Sequence, residues 1–183
     1  MPGTRKLSAG LTRRAPLAVR AGAGRKLAGY AAVFNSPAQI GTFQETIAPG
    51  AFAASLADPA IDVLALVDHD PSALLGRTSS GTLRLAEDTR GLAFEVDLPD
   101  TTLAADLLAL AARSDLGGMS FGFNVVRDAW PTPDRRILQA VDLVEISVVR
   151  AFPAYADTTV AARSRDAGRD AVRLHLLRLR TLP

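Results

Sequence analysis

The sequence contains no cysteine, one tryptophan and only two histidines, His69 and His175. Without cysteine the chain can form no disulfide bond, use no thiolate nucleophile and build no cysteine-ligated zinc site. Two histidines also make a multi-histidine metal centre implausible, because such a site needs several of these ligands. We therefore expect no metal and no cofactor, and a reducing or redox-neutral surrounding.

Long apolar runs are also missing. No stretch approaches the roughly 18 residues that a membrane-spanning helix needs, and the N-terminus lacks the apolar segment of a secretory signal. These absences predict a soluble, intracellular protein with no membrane partner. A chain of 183 residues has the length for one domain with a hydrophobic core, together with arms.

Acidic residues are absent from residues 1–26, which hold seven basic residues. Residues 163–183 carry six arginines against two aspartates, so residues 27–162 have a formal charge of −9. We predict a basic, disordered N-terminal arm, an acidic domain and a basic C-terminal helix or tail, with these boundaries. Such arms are typical of segments that bind an anionic partner. A solubilising tail and, at the N-terminus, an organellar transit peptide are the alternatives.

The middle of the chain predicts an α+β fold made mostly of strands. A helix is predicted from an N-cap at Asp100 or Thr101 to a stop at Gly117, and a short one at 51–57. About seven strands with one or two helices favour a closed or nearly closed, mainly antiparallel β-barrel. Two of the predicted strands, 82–85 and 92–98, form a hairpin, and the last two are not clearly separate. The predicted strands are 27–34, 43–48, 61–67, 82–85, 92–98, 119–126, 136–143 and 144–149.

The stretch LGGMSFGFNVV, residues 116–126, places a serine inside a predicted strand. Alternate residues of a strand point to opposite faces, so Met119 and Phe121 face the core while Ser120 and Gly122 share the other face. Because glycine has no side chain, Gly122 leaves open space beside the serine, as the approach to an attacking nucleophile requires. The alternative is a serine on the solvent face of an amphipathic strand.

A nucleophilic serine needs a base, and His69 is the one histidine in the predicted domain. It follows the apolar strand 61–67, in VDHDPS, where Pro71 favours an extended or turn conformation of Asp70. Catalytic groups often collect at strand ends. A turn histidine flanked by carboxylates is the alternative.

A carboxylate also occurs in a predicted strand, at Glu145. Simple alternation places Val144 with Ile146 on the apolar face, and Leu143 with Glu145 on the other. A carboxylate among β-branched residues is costly to bury unless something pairs with it, and protonated His69 is a suitable partner. An exposed strand glutamate is the alternative.

Four blocks of the sequence closely resemble, in the same order, the prohead (capsid maturation) proteases of HK97-type tailed phages and related gene transfer agents. Members of that family are serine endopeptidases, related in fold to the herpesvirus assemblins. They enter the immature capsid and cut away the scaffold or the scaffold-like arm of the major capsid protein. The blocks, which span about residues 27–162, are VDHDPSALLGRT, GTLRLAEDTRGLAFEVDLPDT, DLGGMSFGFNVV and VDLVEISVVRAFPAYADT.

The resemblance implies a role for each of three residues. Ser120 is expected to be the nucleophile, His69 the general base, and Glu145 the group that orients and charges the imidazole. Herpesvirus relatives use a second histidine as the third member, which this domain lacks, so an acidic residue must take that place. The alternatives to Glu145 are Asp68, Asp70 and Asp142.

The resemblance also implies partners and a place of action. The major capsid protein precursor, the scaffold protein or both are expected as substrates, with the protease itself as a further one, and a homodimer as in related viral proteases. The expected location is the inside of the prohead, in the cytoplasm of the bacterial host. The alternative is a noncatalytic capsid-assembly or nucleic-acid-binding module that acts through its basic arms. The acidic domain argues against nucleic acid as the main partner.

Overall fold

The computed structural model describes residues 25–150. The predicted arms at 1–26 and 163–183 lie outside the described residues, apart from Arg25 and Lys26, and so does the predicted end of the domain at 162. The described residues form nine strands and two helices: β1 (Lys26–Val33), β2 (Ala38–Ile40), β3 (Phe43–Ile47), α1 (Ala53–Ala57), β4 (Leu64–Val67), β5 (Asp70–Arg77), β6 (Leu83–Glu87), β7 (Gly91–Asp97), α2 (Thr102–Ala112), β8 (Gly118–Thr132) and β9 (Arg135–Val149).

The strand β9 organises the larger of two sheets. It pairs with β8 in antiparallel fashion along one edge, while its other edge pairs in parallel first with β3 and then with β4. A strand of 15 residues is long enough for two shorter neighbours on one edge. The strands β2 and β5 extend this sheet as antiparallel partners of β3 and β4. As a result, β4 and β8 flank the C-terminal half of β9 from opposite sides.

The α+β class is confirmed, but the predicted barrel is not seen. Within residues 25–150, β1, β7 and β6 form a separate three-stranded sheet, so the strands make two open sheets. The predicted hairpin is present as β6 and β7, and the two uncertain strands at 136–143 and 144–149 are the single strand β9. The short strand β2 and the strand β5, which begins with the turn-like residues DPS, were not predicted. The likeness to the herpesvirus assemblins stays a prediction.

A β-bulge in β9 changes which side chains face the core. Gly122 of β8 pairs with Glu145 of β9. The next residue of β8, Phe123, pairs with Leu143, so Val144 is an extra residue in β9. Leu143 is buried and Val144 is 45% exposed, the reverse of the prediction. Simple alternation was wrong here because a bulge shifts the alternation by one residue.

One hydrophobic cluster joins side chains from both sheets and both helices. Phe52, just before α1, packs edge-on against Phe121 of β8, with ring centroids 5.5 Å apart. Burying a side chain of this size stabilises the fold by roughly 1.5–3 kcal/mol. Met119 and Phe121 are fully buried, so the predicted core face of β8 is confirmed.

The helix α2 begins and ends at identifiable signals. The hydroxyl of Thr101, one of the two predicted caps, accepts a backbone N–H of the first turn at 3.3 Å. The predicted stop at Gly117 is wrong, since the helix ends at Ala112. Ser114 has a φ of 59°, and the N–H of Asp115 bonds back to a carbonyl of the last turn, as in a Schellman motif. Neither helix of the described part is long and apolar enough to cross a membrane.

Asp62 connects the segment before β4 to the end of β5. Its carboxylate accepts hydrogen bonds from the Nε of Arg77 at 2.8 Å and from the backbone N–H of Ser79 at 3.0 Å. The Arg77 guanidinium, and next the Ser79 N–H, hold the pKa of Asp62 at about 2. The pKa of an aspartate in an unfolded chain is about 3.9, so the ionised form favours the folded state. This contribution to stability is present above about pH 4 and is lost as the pH falls through about 2.

We expect Asp62→Asn to lower the urea midpoint of unfolding at neutral pH, because the variant lacks the charge that Arg77 and Ser79 stabilise. The difference between the wild type and the variant is expected to shrink steadily between about pH 4 and pH 2. Urea titrations followed by circular dichroism at several pH values measure it. A difference that stays constant across that range would contradict the assignment.

Candidate active site

Ser120 lies on β8, directly opposite Ser147 of β9. Its side chain points away from the core face that Met119 and Phe121 form. Ser120 is nevertheless fully buried, which excludes the alternative of a serine on a solvent-facing strand. Ser147 of β9 lies opposite Ser120, and His69, in the turn after β4, lies within hydrogen-bond distance of its hydroxyl.

His69 lies in the two-residue turn that joins β4 to β5. Val67 pairs with Asp70, so Asp68 and His69 form the turn between them. Both have a positive φ, 50° and 61°, as the two central residues of a type I′ turn do. The left-handed conformation costs a residue other than glycine roughly 1–2 kcal/mol. Contacts with the rest of the domain must therefore hold the turn.

Hydrogen bonds to β9 and to the residue after it supply those contacts. The N–H of Asp68 donates to the carbonyl of Val148 at 2.9 Å. The N–H of His69 donates to the hydroxyl of Ser147 at 2.8 Å. The carboxylate of Asp68 accepts the backbone N–H of Arg150 at 2.9 Å and its Nε at 2.7 Å. The backbone that carries the imidazole is thus tied to the end of β9.

The imidazole of His69 connects the serine to a carboxylate. Its Nε2 lies 2.8 Å from Ser120 Oγ, and its Nδ1 lies 2.6 Å from Glu145 Oε1. A carboxylate can only accept, so the proton of the neutral ring belongs on Nδ1. Nε2 is then the acceptor for the hydroxyl of Ser120. The structure brings the three residues together in the order that abstraction of a proton from the serine requires.

Glu145 is the most enclosed charged member of this chain of hydrogen bonds. Its side chain is 11% exposed, against 39% for His69, so the site meets solvent at the imidazole. The second carboxylate oxygen, Oε2, is buried and has no hydrogen-bond partner in the part of the chain that the structure describes. A buried anionic oxygen of this kind is costly. A positive charge on His69 would reduce that cost.

The space beside Gly122 is occupied by the Glu145 side chain and is not open to a substrate. The prediction of open space beside Ser120 is wrong, because the Glu145 side chain fills that space. A Cβ atom on Gly122 would lie 2.8 Å from Glu145 Oε1 and 3.1 Å from Glu145 Cγ. A larger residue at this position would force the Glu145 side chain to shift from the place where it bonds to His69.

The three aspartates that were alternatives to Glu145 make other contacts or lie elsewhere in the sheet. The carboxylate of Asp68 bonds to Arg150, and that of Asp70 accepts from the backbone N–H and the hydroxyl of Ser72. Asp142 is paired with Asn124 further along β8 and β9. Glu145 is the acidic residue whose carboxylate oxygen lies at 2.6 Å from the His69 ring.

Two contributors to this geometry were not found from the sequence. Ser147 accepts the backbone N–H of His69. The sequence feature that could have indicated it is a polar residue two positions after Glu145, on the same face of the strand. Arg150 binds Asp68, which no local pattern indicates. No group of three or more potential metal ligands is placed to hold an ion within residues 25–150.

A hydroxyl, an imidazole and a carboxylate linked in this order form the kind of site that serine hydrolases use, on several unrelated folds. Comparison with known proteins identifies the family. The chain belongs to the caudovirus prohead serine proteases, whose family model matches residues 14–170. The resemblance noted in the four sequence blocks is thereby confirmed.

A curated relative agrees with this family. The chain is 34% identical over 148 residues to the prohead protease of Enterobacteria phage HK97, a match that covers 79% of this chain and 63% of the relative. The chain thus matches less than two thirds of that relative's length. No solved structure matches the chain significantly.

The substitution Gly122→Ala is expected to disable the site without unfolding the domain. The added methyl group must displace the Glu145 carboxylate, which lengthens its hydrogen bond to His69. We expect Ser120 to react with a serine-directed phosphonate at least about tenfold more slowly, since a small misplacement of a reacting group has effects of this size. Intact mass spectrometry over time measures the rate, and the melting temperature reports on folding.

Asn124→Ala is the matched control for this experiment, because Asn124 lies two residues further along β8 and opposite Asp142. Its phosphonate reaction is expected to keep the wild-type rate. Equal rates for Gly122→Ala and the wild type would show that the carboxylate does not need this space.

Proposed function

We propose that this protein is a serine endopeptidase in which Ser120 is the nucleophile, His69 the general base and Glu145 the residue that orients and charges the imidazole. The observation that carries the proposal is the pair of hydrogen bonds, of 2.8 and 2.6 Å, that joins the three side chains. The description of the family as prohead serine proteases supports peptide bonds as the target.

The reaction follows the steps of acyl transfer. As Ser120 Oγ attacks the scissile carbonyl carbon, His69 Nε2 accepts its proton and a tetrahedral intermediate forms. The imidazolium then donates that proton to the leaving amine, the C–N bond breaks, and an acyl-enzyme remains. In the second half His69 takes a proton from a water molecule that attacks the ester carbonyl. The imidazolium then returns this proton to Ser120 Oγ as the C–O bond of the ester breaks, which releases the carboxylic acid product and the free serine.

Glu145 supports both halves of this cycle through its charge. Each half passes through a state in which His69 is positively charged. The carboxylate stabilises that state at short range and with little competing water, because electrostatic attraction is stronger in a poorly solvated site. Its hydrogen bond to Nδ1 also keeps Nε2 directed at Ser120.

The proposed substrate is the scaffold protein or the N-terminal, scaffold-like arm of the major capsid protein precursor, with the protease itself as a further substrate. Cleavage takes place inside the prohead, in the cytoplasm of the host. The family description and the name of the HK97 relative support this setting. Basic arms beside an acidic domain support docking of the arms on the scaffold or capsid. A homodimer and a fold relationship to the herpesvirus assemblins belong to the same proposal.

Co-expression with the major capsid protein precursor tests the proposal. The wild type is expected to shorten the precursor at one defined bond, and Ser120→Ala to leave it at full length. Removal of the attacking oxygen lowers kcat by about 2 × 10⁶-fold in a related triad. Intact mass spectrometry of the precursor shows both the cleavage and its position.

The exposed Ser80 provides the control, and Ser80→Ala is expected to cleave like the wild type. Cleavage by Ser120→Ala, or a precursor that stays intact with the wild type, would contradict the proposed activity. In the second case, loss of capsid association on replacing the arginines of the arms would support the noncatalytic alternative.

Glu145→Gln is expected to reduce kcat strongly while the fold is kept. Glutamine has nearly the same shape but no charge, and its amide can turn a donor towards Nδ1. In a related triad the equivalent change lowers kcat by about 10⁴-fold, and we expect a loss of about 10²- to 10⁴-fold here. Steady-state kinetics with a peptide that spans the cleaved bond measure it.

Asp142→Asn serves as the matched control, since it removes a carboxylate from the same strand, three residues earlier. Its kcat is expected to stay close to that of the wild type. A larger loss for Asp142→Asn than for Glu145→Gln would transfer the role to that aspartate.

A further inference from the structure

We propose that Ser147 is a positioning residue that holds the backbone of His69, so that the imidazole reaches Ser120 and Glu145 together. The inference rests on the proposed function and goes beyond its three residues. The Ser147 hydroxyl accepts a hydrogen bond from the backbone N–H of His69. This hydroxyl acts through the main chain of the general base.

The need for such a residue arises from the turn. Asp68 and His69 both have positive φ angles, a conformation that residues with a side chain adopt only when their surroundings enforce it. Aspartate is among the residues that a type I′ turn favours at its first central position, but His69 stands where such a turn usually has glycine. Without outside contacts, this turn would relax to another conformation and carry the imidazole away from β8.

Ser147 supplies the contact with the backbone of His69 itself. Its Oγ accepts the N–H of His69 itself, at 2.8 Å, whereas the other anchors act on Asp68. Ser147 is fully buried, so water cannot readily replace the hydroxyl as the acceptor. A side chain without an acceptor would leave the His69 N–H unpaired next to a buried strand, which is unfavourable.

The position of Ser147 in the sheet places its contact with His69 next to Ser120, the proposed nucleophile. In β9, Ser147 pairs with Ser120 on one side and with Leu66 of β4 on the other. Glu145, two residues earlier, lies on the same face. Alternate residues of one strand therefore hold His69 at two points, the backbone N–H and the ring Nδ1. Two points of attachment restrict both the place and the direction of the imidazole.

Steady-state kinetics of Ser147→Ala in the full chain test the inference, with the peptide that spans the cleaved bond as substrate. We expect kcat to fall at least about tenfold while KM stays within about twofold, because the substrate contacts are kept and the base is misplaced. The reaction of Ser120 with a phosphonate should slow in parallel.

Thr78→Val is the matched control. The Thr78 hydroxyl accepts the backbone N–H of Val63 at 2.9 Å, so it anchors the same β4–β5 hairpin at its other end. If Ser147 only stabilised the hairpin, the two variants would lower the melting temperature and kcat alike. We expect a lower melting temperature for both and a lower kcat for Ser147→Ala alone.

A second variant keeps the test decisive if Ser147→Ala does not fold. Ser147→Cys fills the same space with a much weaker acceptor and is expected to show the same loss of kcat at unchanged KM. Wild-type kcat in whichever variant folds would overturn the inference while leaving the proposed function in place. A wild type that does not cleave the peptide would remove the proposed function, and the inference with it.

Discussion

The register between β8 and β9 is the constraint on which the site depends. It places two cross-strand pairs side by side, Ser120 with Ser147 and Gly122 with Glu145. A slip of one residue would turn these side chains to the opposite face of the sheet, since strand side chains alternate. The bulge at Val144 belongs to the same constraint. Because of it, the Leu143 side chain is buried in the core although Leu143 lies two residues before Glu145 in the strand. One pair of strands thus holds Ser120, Glu145 and the glycine that leaves room for the carboxylate.

The histidine reaches this pair of strands from the opposite edge of β9. Parallel pairing with β9 places the end of β4 beside Ser147. The two-residue turn that follows β4 then lies next to the end of β9. The turn is strained at Asp68 and His69, and the bonds that offset the strain come from Ser147 and Val148 of β9 and from Arg150 directly after it. Strain of this kind is often found at functional sites, where the surrounding structure enforces it. The stability of the turn and the placement of the His69 imidazole therefore depend on the same few hydrogen bonds.

Much of the candidate site could be predicted from the sequence, because its residues lie in short local patterns. A serine in an alternating strand, a histidine at a strand end and a carboxylate among β-branched residues were each visible, and the family resemblance joined them. The pairing of the strands could not be predicted, since the two open sheets and the bulge at Val144 depend on contacts between distant segments. The turn at Asp68 and His69 lacks the glycine that usually marks such a turn. The sequence predicted the wrong role for Gly122, because Glu145, which fills the space beside it, is 23 residues away in the chain.

The most direct measurement is to identify the residue that a serine-directed phosphonate modifies, by peptide mass mapping of the labelled full chain. If His69 activates Ser120 as the hydrogen bonds indicate, one label per chain is expected, on the peptide that contains residues 116–126. The label should be absent from the same peptide of His69→Ala. Labelling of a different serine, or equal labelling of Ser120 in the wild type and in His69→Ala, would contradict this view of the site.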